Sequence, residues 1–86
     1  MAGKLQLRDQ EAVDFLRTRI TSALPELEAF IESWDYGARI RGHVLDPQTG
    51  ARWDLPDGLL VRYSHEDLER RVLPGIRLWY AKCKSR

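Results

Sequence analysis

The side chains able to do chemistry are few. His43 and His65 are the only histidines, and Cys83 is the only thiol. A nucleophilic Cys/His pair needs the thiol activated beside an imidazole. Cys83 instead falls on the apolar side of a C-terminal helical pattern, where cysteine behaves as a small hydrophobe. A zinc site needs four ligands, usually with short-spaced pairs, and this spacing is missing. No Gly-x-x-x-x-Gly-Lys, Gly-x-Gly-x-x-Gly or Gly-x-Ser-x-Gly motif occurs. The neighbouring carboxylates Asp54 and Asp57 lie at a turn, which such residues commonly build. His43 and His65 read as solvated surface residues. The expectation is a protein that is not an enzyme and carries no catalytic residue, no metal and no cofactor.

Charge is the stronger signal. Residues 1–69 hold eight Lys/Arg and thirteen Asp/Glu, a net of −5, whereas residues 70–86 hold six Lys/Arg and no acid, a net of +6. The six are Arg70, Arg71, Arg77, Lys82, Lys84 and Arg86. Arg70, Arg77 and Lys84 recur at sevens and lie opposite the apolar side of the helical pattern. A helix C-terminus favours a few cations on its own, but six without one acid suggest a contact with an acidic protein surface or with phosphates. Against nucleic acid stand the near-neutral pI of about 7.9 and the lack of any familiar nucleic-acid motif. An acidic block at Glu26, Glu28, Glu32 and Asp35 offers the stripe an internal partner. Trp34, Tyr36, Leu78 and Tyr80 are further interface candidates, since Trp, Tyr and Arg are enriched at binding hot spots. Trp53 and Trp79 read as core.

The elements that must carry these residues follow from periodicity. Residues 1–8 read as a flexible tail and 9–86 as one compact α+β domain. From Asp9 to Trp34 a helical period places Ala12, Val13, Leu16, Ile20, Leu24, Leu27, Phe30, Ile31 and Trp34 in one sector. The period keeps its phase across Pro25, which predicts one kinked helix or two helices with Pro25 opening the second, ended by Gly37. The period then falls to two. Ile40 and Val44 alternate with Arg39, Arg41 and His43, and Gly42 suggests a bulge. Asp46-Pro47-Gln48-Thr49-Gly50 predicts a tight turn with positive φ at Gly50. Trp53 and Leu55 then continue as a strand. Leu59, Val61 and Tyr63 form a third strand or an extended lead-in. Ser64 caps a last helix whose inner face is Leu68, Val72, Ile76, Trp79 and Cys83, with a kink or break at Pro74-Gly75. Two helices thus cover one face of a small antiparallel sheet, and Arg39, Arg41, His43, Arg52, Asp54 and Arg62 occupy the other.

The order of helix, tight hairpin and capped helix resembles, in architecture, the small head-to-tail completion proteins of tailed phages. That resemblance implies a structural assembly component.

At 86 residues, 43% hydrophobic and 31% charged, the chain has the composition of one folded domain. A single cysteine excludes an internal disulfide and suits a reducing compartment. No apolar run of about 18 residues occurs, and the start shows no apolar signal region. The expected setting is the cytoplasm, away from membranes. The leading expectation is a small protein-binding module: an inhibitor, adaptor or assembly component, of the kind phages and mobile elements encode. Nucleic-acid binding through the basic helix is the alternative, and a small core leaves room for a homodimer.

Overall fold

A computed structural model describes residues 2–84, with side chains from Asp9 onward. The element order is α1 (Ala2–Ala23), β1 (Glu28–Trp34), β2 (Arg39–Leu45), β3 (Arg52–Asp54) and α2 (His65–Lys84). The strands form one antiparallel sheet in the order β1-β2-β3. The fold is α+β, as expected, but its first half differs from the sequence reading.

The helix begins at Ala2, inside the expected tail, and ends at Ala23. Neither a kinked helix nor a second helix follows. Pro25 sits in a turn closed by Leu27 N–H donating to the Leu24 carbonyl at 3.0 Å, and residues 28–34 are a strand. The cause of the misreading is a spacing of four. Leu27 and Ile31, like Phe30 and Trp34, are four apart, which nearly matches one helical turn and also keeps residues on one face of a strand. As a strand, the segment turns Ala29, Ile31 and Ser33 inward and Glu28, Phe30, Glu32 and Trp34 outward. Gly37 therefore ends no helix. It closes the β1–β2 turn, where Asp35, Tyr36 and Gly37 have φ of 55°, 56° and 80°.

Gly42 marks no bulge, because the β1–β2 register runs without insertion and sets Gly42 opposite Ile31. Its role is close approach: a Cβ there would overlap the Phe30 carbonyl oxygen and stand 2.8 Å from the Ile31 Cα. The second turn forms as expected. Asp46, buried, accepts from Gln48 N–H at 3.1 Å and from the Thr49 hydroxyl at 3.1 Å. Gly50 donates to the Asp46 carbonyl at 2.8 Å with φ of 76°. A Cβ at Gly50 would meet nothing within 4 Å, so only backbone strain opposes substitution. Gly50→Val should therefore cost about 1–2 kcal/mol, and Gly50→Asn distinctly less. Denaturant midpoints of the two variants check this, and equal wild-type-like values would contradict the turn.

Residues 59–61 are the extended lead-in. Ile40 N–H donates to the Leu59 carbonyl and Val61 N–H to the Ala38 carbonyl, both at 3.0 Å, around a single Arg39–Leu60 bridge. Ser64 then caps α2, its hydroxyl oxygen accepting from Asp67 N–H at 3.1 Å. The helix passes through Pro74 without a break. Gly75 is the reason Trp53 fits, since a Cβ there would lie 2.7 Å from the indole ring. The core joins Val13, Leu16 and Ile20 of α1, Ile31, Ile40 and Val44 of the sheet, and Leu68, Val72, Leu73, Ile76 and Tyr80 of α2. Tyr80, read as an interface candidate, is 7% exposed and belongs to the core. Trp79 and Cys83 are only half-buried, because the buried centre of α2 falls nearer Ile76 and Tyr80.

Candidate functional site

β1 completes the outer face of the sheet. The face now carries two large exposed rings, Phe30 at 48% and Trp34 at 39% exposure. Cross-strand register places Phe30 beside His43, Glu32 beside Arg41 and Trp34 beside Arg39. The Phe30 and His43 rings stack with centroids 5.0 Å apart. The guanidinium carbons of Arg39 and Arg41 lie 5.7 and 5.2 Å from the Trp34 ring centroid, within cation–π range. Carboxylates hold the arginines in place: Asp35 on Arg39 at 3.3 Å, Glu32 on Arg41 at 2.6 Å and Asp54 on Arg52 at 2.8 Å. Phe30, Trp34, Arg39, Arg41, His43 and Arg52 line a shallow open groove. Tyr36, wholly exposed, stands at the turn beyond Trp34.

The basic stripe of α2 is less free than its sequence suggests. Arg70 pairs with Glu66 at 2.6 Å and Asp67 at 3.9 Å on its own helix. The Arg71 guanidinium lies 4.4 Å from the Tyr63 ring centroid. Lys84 reaches Glu26 at 3.4 Å, so one cation of the stripe meets the acidic block, while Glu32 and Asp35 of that block serve β2. Lys82 is exposed and has a partner of its own. Arg77 is exposed with no ion-pair partner among the described residues. Arg86 lies outside the described residues. Leu78 stands 64% exposed on the same side. Since exposed pairs contribute about 0–1 kcal/mol each, the triple variant Arg70→Glu/Arg77→Glu/Lys84→Glu should stay folded with a modestly lower melting temperature. Circular dichroism melts check this. Reversing Glu26→Lys in that background should recover the share lost at Lys84.

Two groups at this end of α2 have shifted acidities. Burial, helped by Glu26, raises the Tyr80 hydroxyl above its ordinary value of 10.0. The hydrogen bond that Lys84 donates to Glu26 raises Lys84 above 10.5. Both folded values exceed the unfolded ones. The stability they confer is therefore complete below the unfolded values near 10 and is lost as pH climbs through the folded ones.

His65 is exposed, as expected, while His43 is only partly so. His43 is half-buried against Phe30. His65 stacks on Phe15 with centroids 4.1 Å apart and has Nε2 3.4 Å from Glu11. Among the described residues no three or more His, Cys, Asp or Glu side chains are grouped to hold a metal ion. Among the same residues no helix is long and apolar enough to cross a membrane. No protein-family model, curated protein or solved structure matches this chain.

The groove is not legible as a site in the sequence because the helical period places Phe30 in a helix core. The signal was present in the alternation Glu28-Ala29-Phe30-Ile31-Glu32-Ser33-Trp34, which fits a strand with a mixed acid and aromatic face.

Proposed function

We propose that this protein is a non-catalytic protein-binding module, an inhibitor, adaptor or assembly component, whose contact surface is the outer face of the β1–β2 hairpin. The observation that carries this reading is the exposure of Phe30 and Trp34 on a sheet face already furnished with arginines. Aromatic residues and arginine dominate interface hot spots, and a ring pre-set between guanidiniums loses little freedom on binding. The internal pairing of the arginines favours a protein partner over nucleic acid, because a phosphate ligand must compete with Glu32, Asp35 and Asp54. The assembly-component form of the reading draws only on the order of helix, hairpin and helix.

Tyr36 adds a second argument. It is fully exposed and holds φ of 56°, a conformation costly for a residue with a Cβ. Strain retained at a solvent-facing aromatic suits a contact residue. Tyr36→Gly should keep stability level or raise it by up to about 1 kcal/mol, while weakening partner capture. A thermal melt and a pull-down on the same sample check both halves.

The site itself is tested with three baits in a lysate of the native cell: wild type, Phe30→Ser/Trp34→Ser, and Arg70→Glu/Arg77→Glu/Lys84→Glu. A protein kept by the first and third but lost by the second supports the hairpin face. Loss from the helix variant alone moves the site to α2.

A further inference from the structure

β1 has a partner on one side only. The sheet order leaves the seven-residue strand at an edge, bonded to β2 and, among the described residues, to no strand beyond it. An edge of that length is a template for another strand. Arg17 of α1 reaches it and donates to the Ile31 carbonyl at 3.4 Å, beyond the usual range for a good bond. The Arg17 side chain is 46% exposed, so it can swing clear.

The outward side chains along this edge alternate acid and ring: Glu28, Phe30, Glu32, Trp34. β2 displays what answers such a pattern. It sets Arg41 against Glu32 and Arg39 against Trp34, with both guanidiniums over the indole. A strand on the free edge meets the same four side chains from the opposite side.

We propose that the free edge of β1 takes up an extended segment of a partner protein with Lys or Arg at every second position, which joins the sheet as an added strand. The inference rests on the protein-binding reading and names the chemistry of the partner. Main-chain hydrogen bonds supply affinity in this mode, and alternate side chains supply specificity. Glu28, with no ion-pair partner among the described residues, attracts one cation, Glu32 is shared between Arg41 and a second, and Phe30 and Trp34 receive the stems and charged heads. A second copy of this chain fits less well, because its own β1 brings two further carboxylates and no Lys or Arg.

The test is calorimetric and NMR titration of the whole chain with a short synthetic peptide alternating Arg and Thr. Two comparators share its composition, one with the arginines consecutive and one N-methylated on alternate amides. The alternating peptide should bind one to one and shift the β1 amides. N-methylation should weaken it by roughly tenfold or more, through loss of main-chain bonds, and so should Glu28→Lys/Glu32→Lys. Equal binding of all three peptides, no binding, or dimerisation of the protein through β1 in place of binding overturns the proposal. The two readings fail separately. Capture of a partner through Trp34 by a chain that ignores the alternating peptide leaves the hairpin face standing and removes the edge.

Discussion

Valine at position 42 should prevent the chain from folding cooperatively at room temperature. Gly42 lies in the central strand, directly opposite Ile31. The atoms a side chain would strike are the Phe30 carbonyl oxygen and the Ile31 Cα. Both are backbone and cannot step aside without opening the β1–β2 ladder. Gly42 also holds φ of 156°, which residues with side chains rarely adopt. Overpacking costs about 1–3 kcal/mol, and backbone strain about 1–3 kcal/mol more. A small domain has only about 5–15 kcal/mol in total, and a short chain sits toward the lower end. Gly42→Ala should lose at least about 2 kcal/mol. Thermal melts followed by near-ultraviolet circular dichroism decide the matter, and a wild-type melt for the alanine variant would show that the strands do not approach as closely as described.

Leu16→Ala should be strongly destabilising. Leu16 is fully buried in the cluster that joins both helices to the sheet. Removing its branch deletes apolar contacts and leaves a cavity, at about 2–5 kcal/mol. The urea midpoint should fall steeply with the slope unchanged. Leu78→Ala provides the contrast, because Leu78 is 64% exposed and its truncation should be close to neutral for stability. A near-neutral result for Leu16→Ala would place α1 outside the core. Trp79→Ala should fall between them, since the ring is partly buried and packs on the cluster edge.

The legible part of the fold was the part in which one period had no rival. Leu68, Val72, Ile76 and Trp79 mark a helix face, because the step of three from Ile76 to Trp79 fits no strand, and Ser64 with Asp67 gives the cap. Asp46 to Gly50 admits few conformations besides a tight turn. β1 was hidden because its apolar residues sit four apart, a spacing that helix and strand share. The penalty for that ambiguity fell on the site. Assigning residues 28–34 to a helix moved Phe30 and Trp34 toward a core and split them from Arg39 and Arg41. Charge counting also overstated the α2 stripe, because Arg70 pairs on its own helix and Lys84 meets Glu26 of the acidic block, the internal partner weighed against it. Tyr80 proves to be core and Trp79 to sit at the core's edge for a smaller reason. They differ by one residue on the helix, and the direction of the core across α2 depends on packing that a wheel does not contain.

The central position of β2 has a consequence for how the molecule opens. One edge of β2 is bonded along its length by β1, and the other is shared by Leu59 to Val61 at its start and β3 at its end. Between them the Gly42 carbonyl accepts Leu55 N–H at 3.0 Å. Its amides can reach solvent only when a neighbour detaches, whereas the free side of β1 needs no such event. Deuterium uptake should therefore divide the sheet by strand edge rather than by side-chain burial. β2 should label last, on the timescale of global unfolding, and the outward amides of β1 should label early despite the buried side chain of Ile31.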